Sequence, residues 1–312
     1  MMILVGGLGG GGDSGGALSV AIALKRLDIE VSILGMVSCR VDDIQRAEHL
    51  CGALVKVNKD SWSGGRFFEP HIAALGWETY VMCLNEPLDK AVEGLDYLKE
   101  QGVKAVFSVD FGGDALVRGD EPEVGSAASD AMGLAILAKA REIGLESLLG
   151  IGALGAEGGG CIPIELLVEN LLLVAENHGY FGSYVPERDV EKEFLRSVSF
   201  LLERVPSFML TVYVDALRER LGERFYRVAY FKGKFNILRH YRYVYVLDPL
   251  VVCQINYFCQ VALKRKYRGA VRSAMKARKV GKRTGIANWE KALHRLAAKR
   301  WDYRSWVRRC LR

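Results

Sequence analysis

Glycine and aspartate concentrate in two short stretches of this 312-residue chain. The first, Gly9-Gly10-Gly11-Gly12-Asp13-Ser14, follows an apolar run at residues 2–6 and precedes a segment with helical spacing. A glycine loop between a strand and a helix can aim backbone N–H groups at an anion, and it lacks the Cβ atoms that would hold a phosphate away. Asp13 would repel that phosphate unless a cation or a ligand hydroxyl shares the site, so it is a candidate metal ligand. Capping the following helix is its structural alternative.

The second stretch places five ionisable groups, Asp110, Asp114, Arg118, Asp120 and Glu121, within twelve positions around Gly112-Gly113. Folding does not ask a turn for that much charge. The four carboxylates are candidates for coordinating a hard cation such as Mg²⁺, for holding substrate hydroxyls and for proton transfer, with Asp114 joining Asp13 as a metal ligand. Arg118 is suited to an anionic group, and a self-satisfied network of turn carboxylates and Arg118 salt bridges is the alternative. Ser126, Ser129 and Asp130 open the next helix, the latter two as caps, and Asp130 is also a candidate ligand contact. A third glycine loop, residues 155–160, adds Glu157 to the wall of the same crevice.

Several familiar chemistries do not fit. No Gly-Lys-Ser/Thr closes the first loop, which disfavours a Walker-type NTPase. The Gly7, Gly9, Gly12 match to a dinucleotide fingerprint is nearly unavoidable among so many glycines, and the second strand ends without the acidic residue that binds a ribose diol. Arg40 leaves NADP as the weaker cofactor reading beside Mg²⁺. The five histidines lack metal-ligand spacing, and the seven cysteines form no zinc pattern and are expected to be free thiols. Ser183, in Gly182-Ser183-Tyr184, could lend the site a hydroxyl.

The elements that must position these residues alternate. Strands are expected at 2–6, 30–37, 53–57, 78–84, 103–109 and 146–154, and helices at 14–26, 41–52, 87–101, 129–143 and 164–177. This pattern predicts a Rossmann-like α/β fold, doubly wound around a mainly parallel sheet, over residues 1–185. Helices at 188–203 and 208–221 and strands at 225–230 and 241–247 suggest a smaller α+β lobe, over residues 186–263, that completes the domain. Residues 264–312 read as an appended basic helical tail, broken by Gly281 and Gly285.

At the two loops the sequence resembles the largely archaeal, uncharacterised family called domain of unknown function 1152. The resemblance rests on Gly9-Gly10-Gly11-Gly12-Asp13 and on the longer motif from Val109 to Glu121, with Ser126 and Asp130 in place. It extends through 242–258 and leaves the tail outside the family pattern. It implies a Rossmann-like fold and a shared site, with no activity attached.

Charge divides the chain. Residues 264–312 hold 18 Lys and Arg against Glu290 and Asp302, so the remainder carries a net −10. Tail aromatics such as Trp289, Trp301, Tyr303 and Trp306 could stack bases, making RNA or another nucleic acid a candidate partner beside a small phosphorylated ligand. Docking on the acidic body or on a second subunit of a homo-oligomer is the leading reading of the tail, ahead of nucleic acid and then of an anionic membrane surface. No apolar run is long enough for a transmembrane segment. A cytoplasmic enzyme acting on a phosphate-bearing metabolite or nucleotide is the leading expectation, and a non-catalytic nucleotide sensor or RNA-associated protein is the alternative.

Overall fold

The structure is a computed structural model that describes residues 2–63 and 67–310; Met1 of the expected core and the tail's last two residues lie outside the described residues. The chain opens with β1 (Met2–Gly7), α1 (Asp13–Lys25) and β2 (Glu30–Val37). An antiparallel pair, β3 (Glu48–Cys51) and β4 (Leu54–Val57), leads to α2 (Glu69–Ala74) and β5 (Thr79–Cys83). The alternation continues through α3 (Leu88–Glu100), β6 (Val103–Phe111), α4 (Ala127–Glu142), β7 (Glu146–Gly152), α5 (Ile164–Glu176) and β8 (Tyr180–Tyr184). Then come α6 (Arg188–Arg204), α7 (Phe208–Leu217), the hairpin β9 (Gly222–Val228) with β10 (Phe231–Ile237), and β11 (Val244–Leu247). Five helices finish the chain: α8 (Pro249–Ile255), α9 (Tyr257–Arg265), α10 (Arg268–Ala277), α11 (Trp289–Ala298) and α12 (Tyr303–Cys310).

Nine strands form one sheet in the order β3-β4-β5-β2-β1-β6-β7-β11-β8. The five strands from β5 to β7 are parallel, while β4 and β11 run antiparallel to their neighbours. Helices cover both faces, so β1 and β6 are buried along nearly their whole length instead of alternating. Helices α3 to α5 and α8 to α11 contribute to the core on one face, and α1, α6, α7 and α12 to that on the other. The chain winds outward in opposite directions from the β1–β6 pair, and the crevice beyond the carboxyl ends of those strands is where an open α/β sheet holds its ligand.

Three features depart from the expectations above. Residues 41–52, whose apolar spacing predicts a helix, form a short turn at Val41–Asp43 and then β3, which pairs with β4 at the sheet edge. The strand at 241–247, expected in the smaller lobe, joins the main sheet instead, where β11 inserts between β7 and β8. Two cysteines are not free: the break between α8 and α9 brings Cys253 and Cys259 to a Cα separation of 5.5 Å, and they form a disulfide, leaving five free thiols. The tail is packed into the body, the docking that its composition left open, with Val271, Leu293, Trp301, Trp306 and Val307 buried. Among the described residues no helix is long and apolar enough to cross a membrane.

Candidate functional site

Three carboxylates meet at the β1–β6 crevice. Asp13 is the first residue of α1, Asp110 lies near the end of β6 and Asp130 is in the first turn of α4. All three are buried, and one oxygen from each lies within 4.8 Å of the others. Asp13 makes no capping bond. It accepts N–H bonds from Gly9 at 3.3 Å and Phe111 at 3.1 Å, tying the first loop to the second. Asp110 accepts the Ala115 N–H at 2.9 Å. Nor do Ser129 and Asp130 cap α4, since the cap position is Ser126. The Ser126 hydroxyl donates to Asp130 at 3.1 Å and to Asp114 at 2.9 Å, and its N–H also donates to Asp114.

Close packing makes glycine necessary at position 9. A Cβ there would run into the Asp130 carboxylate, while Gly10 and Gly11 take positive φ as the loop turns away. The cleft encloses about 330 Å³ and is lined by Gly9 to Asp13, Asp110, Asp130 and Glu157, together with Ser38, Phe68, Phe111, Ser126, Ser129, Pro206, Ser207, Met209, Tyr230 and Arg268.

The electrostatics are lopsided. Burial first, and then the charges of Asp110 and Asp130, push the Asp13 pKa well up; burial, Asp110 and Asp114 do the same to Asp130. Burial lifts Asp110 to about 6 against the pull of the Ala115 and Gly113 N–H groups. Glu157 rises to about 8 through burial and the charges of Asp110 and Asp13. Asp114 is raised by burial and by Glu157 and Asp110, and its Oδ1 is buried without a hydrogen-bond partner. Among the described residues lining the cleft, Arg268 is the only strong base. Carboxylates held together in this way must keep protons or share a cation. The donor set, all oxygen, suits a hard divalent ion such as Mg²⁺.

The structure separates the other candidates. Asp120 and Glu121 stand outside the cleft, paired with Arg283 at 3.0 and 3.5 Å, and Glu121 also accepts the N–H groups of Arg118 and Gly119. Arg118 lines a different cleft, beside Tyr257, Arg278 and Lys279. Ser14 turns its hydroxyl to buried Glu69 at 2.6 Å. Gly112 and Gly113 pack against Glu157 and Leu154 and shape the loop from below. Ser183 donates to the Ala297 carbonyl beneath the tail, and Arg40 pairs with Glu86 at 3.7 Å. Ser38 could have been found from its place after β2, whose carboxyl end faces the crevice. Phe68, Pro206, Ser207, Met209, Tyr230 and Arg268 carry no comparable signal, because distant segments bring them in.

Fold and site together define a Rossmann-like α/β protein with an acidic, glycine-lined crevice at the switch point of its sheet. The family described as "Protein of unknown function (DUF1152)" matches residues 4–288, and the chain belongs to it. The match runs past α10, so this part of the tail falls within the family pattern, contrary to the sequence expectation. No curated protein and no solved structure matches the chain.

Proposed function

We propose that the chain is an enzyme that binds a divalent cation, Mg²⁺ in the cell, at Asp13, Asp110 and Asp130, and with it the phosphate of a small metabolite or nucleotide. The observation that carries this reading is the meeting of three buried carboxylate oxygens within 4.8 Å, each from a different segment. A site this acidic repels phosphate unless a cation intervenes, and a bound cation would supply Lewis-acid polarisation of a phosphoryl oxygen. The N–H groups of Gly10 to Gly12 and the Arg268 guanidinium are the groups available to the remaining phosphate oxygens. Glu157, whose carboxyl is lifted first by burial, lines the same cleft and is placed to exchange a proton with a water or leaving group.

A cytoplasmic setting belongs to the same proposal, supported by five free cysteines and opposed by the single Cys253–Cys259 disulfide. A second reading, association with RNA, draws on the separate cleft of about 440 Å³ where Arg118, Arg278 and Lys279 surround half-exposed Tyr257.

Thermal unfolding with and without Mn²⁺ tests the main proposal. At a free Mn²⁺ concentration about 100 times Kd, binding to the folded chain alone adds ~2.7 kcal/mol, a rise of several degrees in Tm. Asp13→Asn and Asp130→Asn should fold and lose that rise. Undiminished Mn²⁺ stabilisation of Asp130→Asn would remove the metal site from consideration.

A further inference from the structure

Another cleft opens between α11 and the turn Arg239–Arg242 that follows β10, and it shares no lining residue with the acidic crevice. It encloses about 480 Å³, and Leu238, Tyr243, Trp289 and Leu293 give it an apolar wall. That wall is fixed from behind. Trp289 meets the His240 ring edge-on at 5.7 Å, and His240 Nε2 lies 3.1 Å from the Leu154 carbonyl oxygen. Burial lowers the His240 pKa to about 4, so this ring adds no positive charge at neutral pH. The positive charge comes from Arg239 and Arg300, exposed side chains that form no ion pair among the described residues. Arg300 is already positioned: its guanidinium lies 5.6 Å from the Tyr243 ring centroid, and its backbone bridges to Ser183 of the edge strand β8. Among the described residues of the lining, Glu290 is the only acid, so the arginines leave an excess of positive charge.

We infer that this cleft is a second ligand site, which takes a small apolar carboxylate, its anion held by Arg239 and Arg300 and its hydrocarbon body against Trp289, Tyr243 and Leu293. The inference concerns a different ligand at a different place and does not depend on the metal–phosphate reading. A concave, mainly apolar wall with a few charged groups is the usual form of a small-molecule site, and the volume falls within the ordinary range. Charge selects the sign of the ligand. A cation would meet two arginines, and a neutral molecule would leave both guanidinium groups without a partner. The apolar wall selects the rest, because it contributes only when the ligand carries a body that takes it out of water. Inorganic phosphate has no such body, whereas an organic acid offers both that body and two oxygens that match the N–H fork of a guanidinium.

Calorimetric titration of the full chain with octanoate and cinnamate, with octanamide and cinnamamide as their neutral counterparts, and with inorganic phosphate tests the inference. At least one acid should bind on the order of 10-fold more tightly than its own amide, since a hydrogen bond to a charged group is worth about that factor. The same acid should bind more tightly than phosphate by a similar factor. The double variant Arg239→Gln, Arg300→Gln, which changes only exposed side chains, should bring acid and amide close to equal affinity. Trp289→Leu should weaken acid and amide alike, and Asp130→Asn in the acidic crevice should change neither. Amides or phosphate binding as tightly as the acids, or an acid-to-amide ratio untouched by the double arginine variant, overturns the assignment. So does the failure of both acids to bind the wild type at millimolar concentration. A concentration-dependent dimer in sedimentation that Trp289→Leu abolishes would give the cleft to a second copy of the chain and overturn it as well.

Discussion

At the scale of single residues, the crevice stores unfavourable electrostatics that folding alone does not call for. Asp13, Asp110, Asp114, Asp130 and Glu157 all have raised pKa values because burial and mutual repulsion penalise their charged forms. The direction of the pH effect follows. Between the ordinary carboxylate value near 4 and the folded values, about 6 for Asp110 and about 8 for Glu157, the folded chain binds protons that the unfolded chain has released. Their contribution to stability is therefore full below about pH 4 and is lost as pH rises through 6 and 8. In EDTA, Tm should fall between pH 5 and pH 8.5. Saturating Mn²⁺ should flatten that decline, because the cation replaces the protons. Asp130→Asn, which removes one charge, should in EDTA at pH 8 be roughly 1 kcal/mol more stable than the wild type while losing its response to metal. A pH-independent Tm in EDTA would mean that these carboxylates are not strained in the folded chain.

At the scale of elements, the loops after β1 and β6 do the positioning, and both were legible because their glycines are local requirements. Gly9 makes a direct test. Its Cβ would meet the Asp130 carboxylate, so Gly9→Ala must turn that carboxylate out of the cluster or displace the loop or α4. The expected result is a folded protein destabilised by about 1–3 kcal/mol, measured in urea, with weakened Mn²⁺ stabilisation. An unaltered metal response would show that Asp130 need not stand where it does. Strands β1, β2, β6 and β7 and helices α1, α3, α4 and α5 were also readable, because an element buried on both faces or along one stripe shows that burial in its own apolar pattern. What sequence could not show is non-local pairing. The apolar residues Val41, Ile44 and Leu50 fit a helical period as well as the β3–β4 hairpin, and the docking of that hairpin on β5 decided between them. The same limit hid part of the cleft lining, since Met209, Tyr230 and Arg268 reach it only once α7, the β9–β10 hairpin and α10 have packed.

At the scale of the whole molecule, the basic tail holds the fold together through apolar packing and one ion-pair cluster. Trp301 stacks on Phe107 of the central strand β6 at 5.1 Å, Trp306 is 1% exposed, and Val271 and Leu293 pack on the opposite face, so removal of residues 264–310 would open the cores on both sheet faces. Arg283 performs a more local task between α10 and α11. Its guanidinium reaches Asp120, Glu121, Glu169 and the Asn170 side-chain oxygen, and Glu121 is fully buried. Stripping the partner from a buried charge costs about 3–5 kcal/mol. Glu121 keeps two backbone N–H bonds and Asn170, so Arg283→Ala should cost less, roughly 2 kcal/mol in urea. Combined with Glu121→Gln, the cost should be less than additive, by about 1 kcal/mol, because one interaction is being removed twice. Metal response distinguishes the two roles open to Asp120 and Glu121. If they only fasten the tail to the second loop, Arg283→Ala lowers stability while Mn²⁺ still raises Tm as it does in the wild type. If instead the variant loses the Mn²⁺ response at unchanged stability, both carboxylates belong to the site and the metal cluster extends along the loop toward the tail.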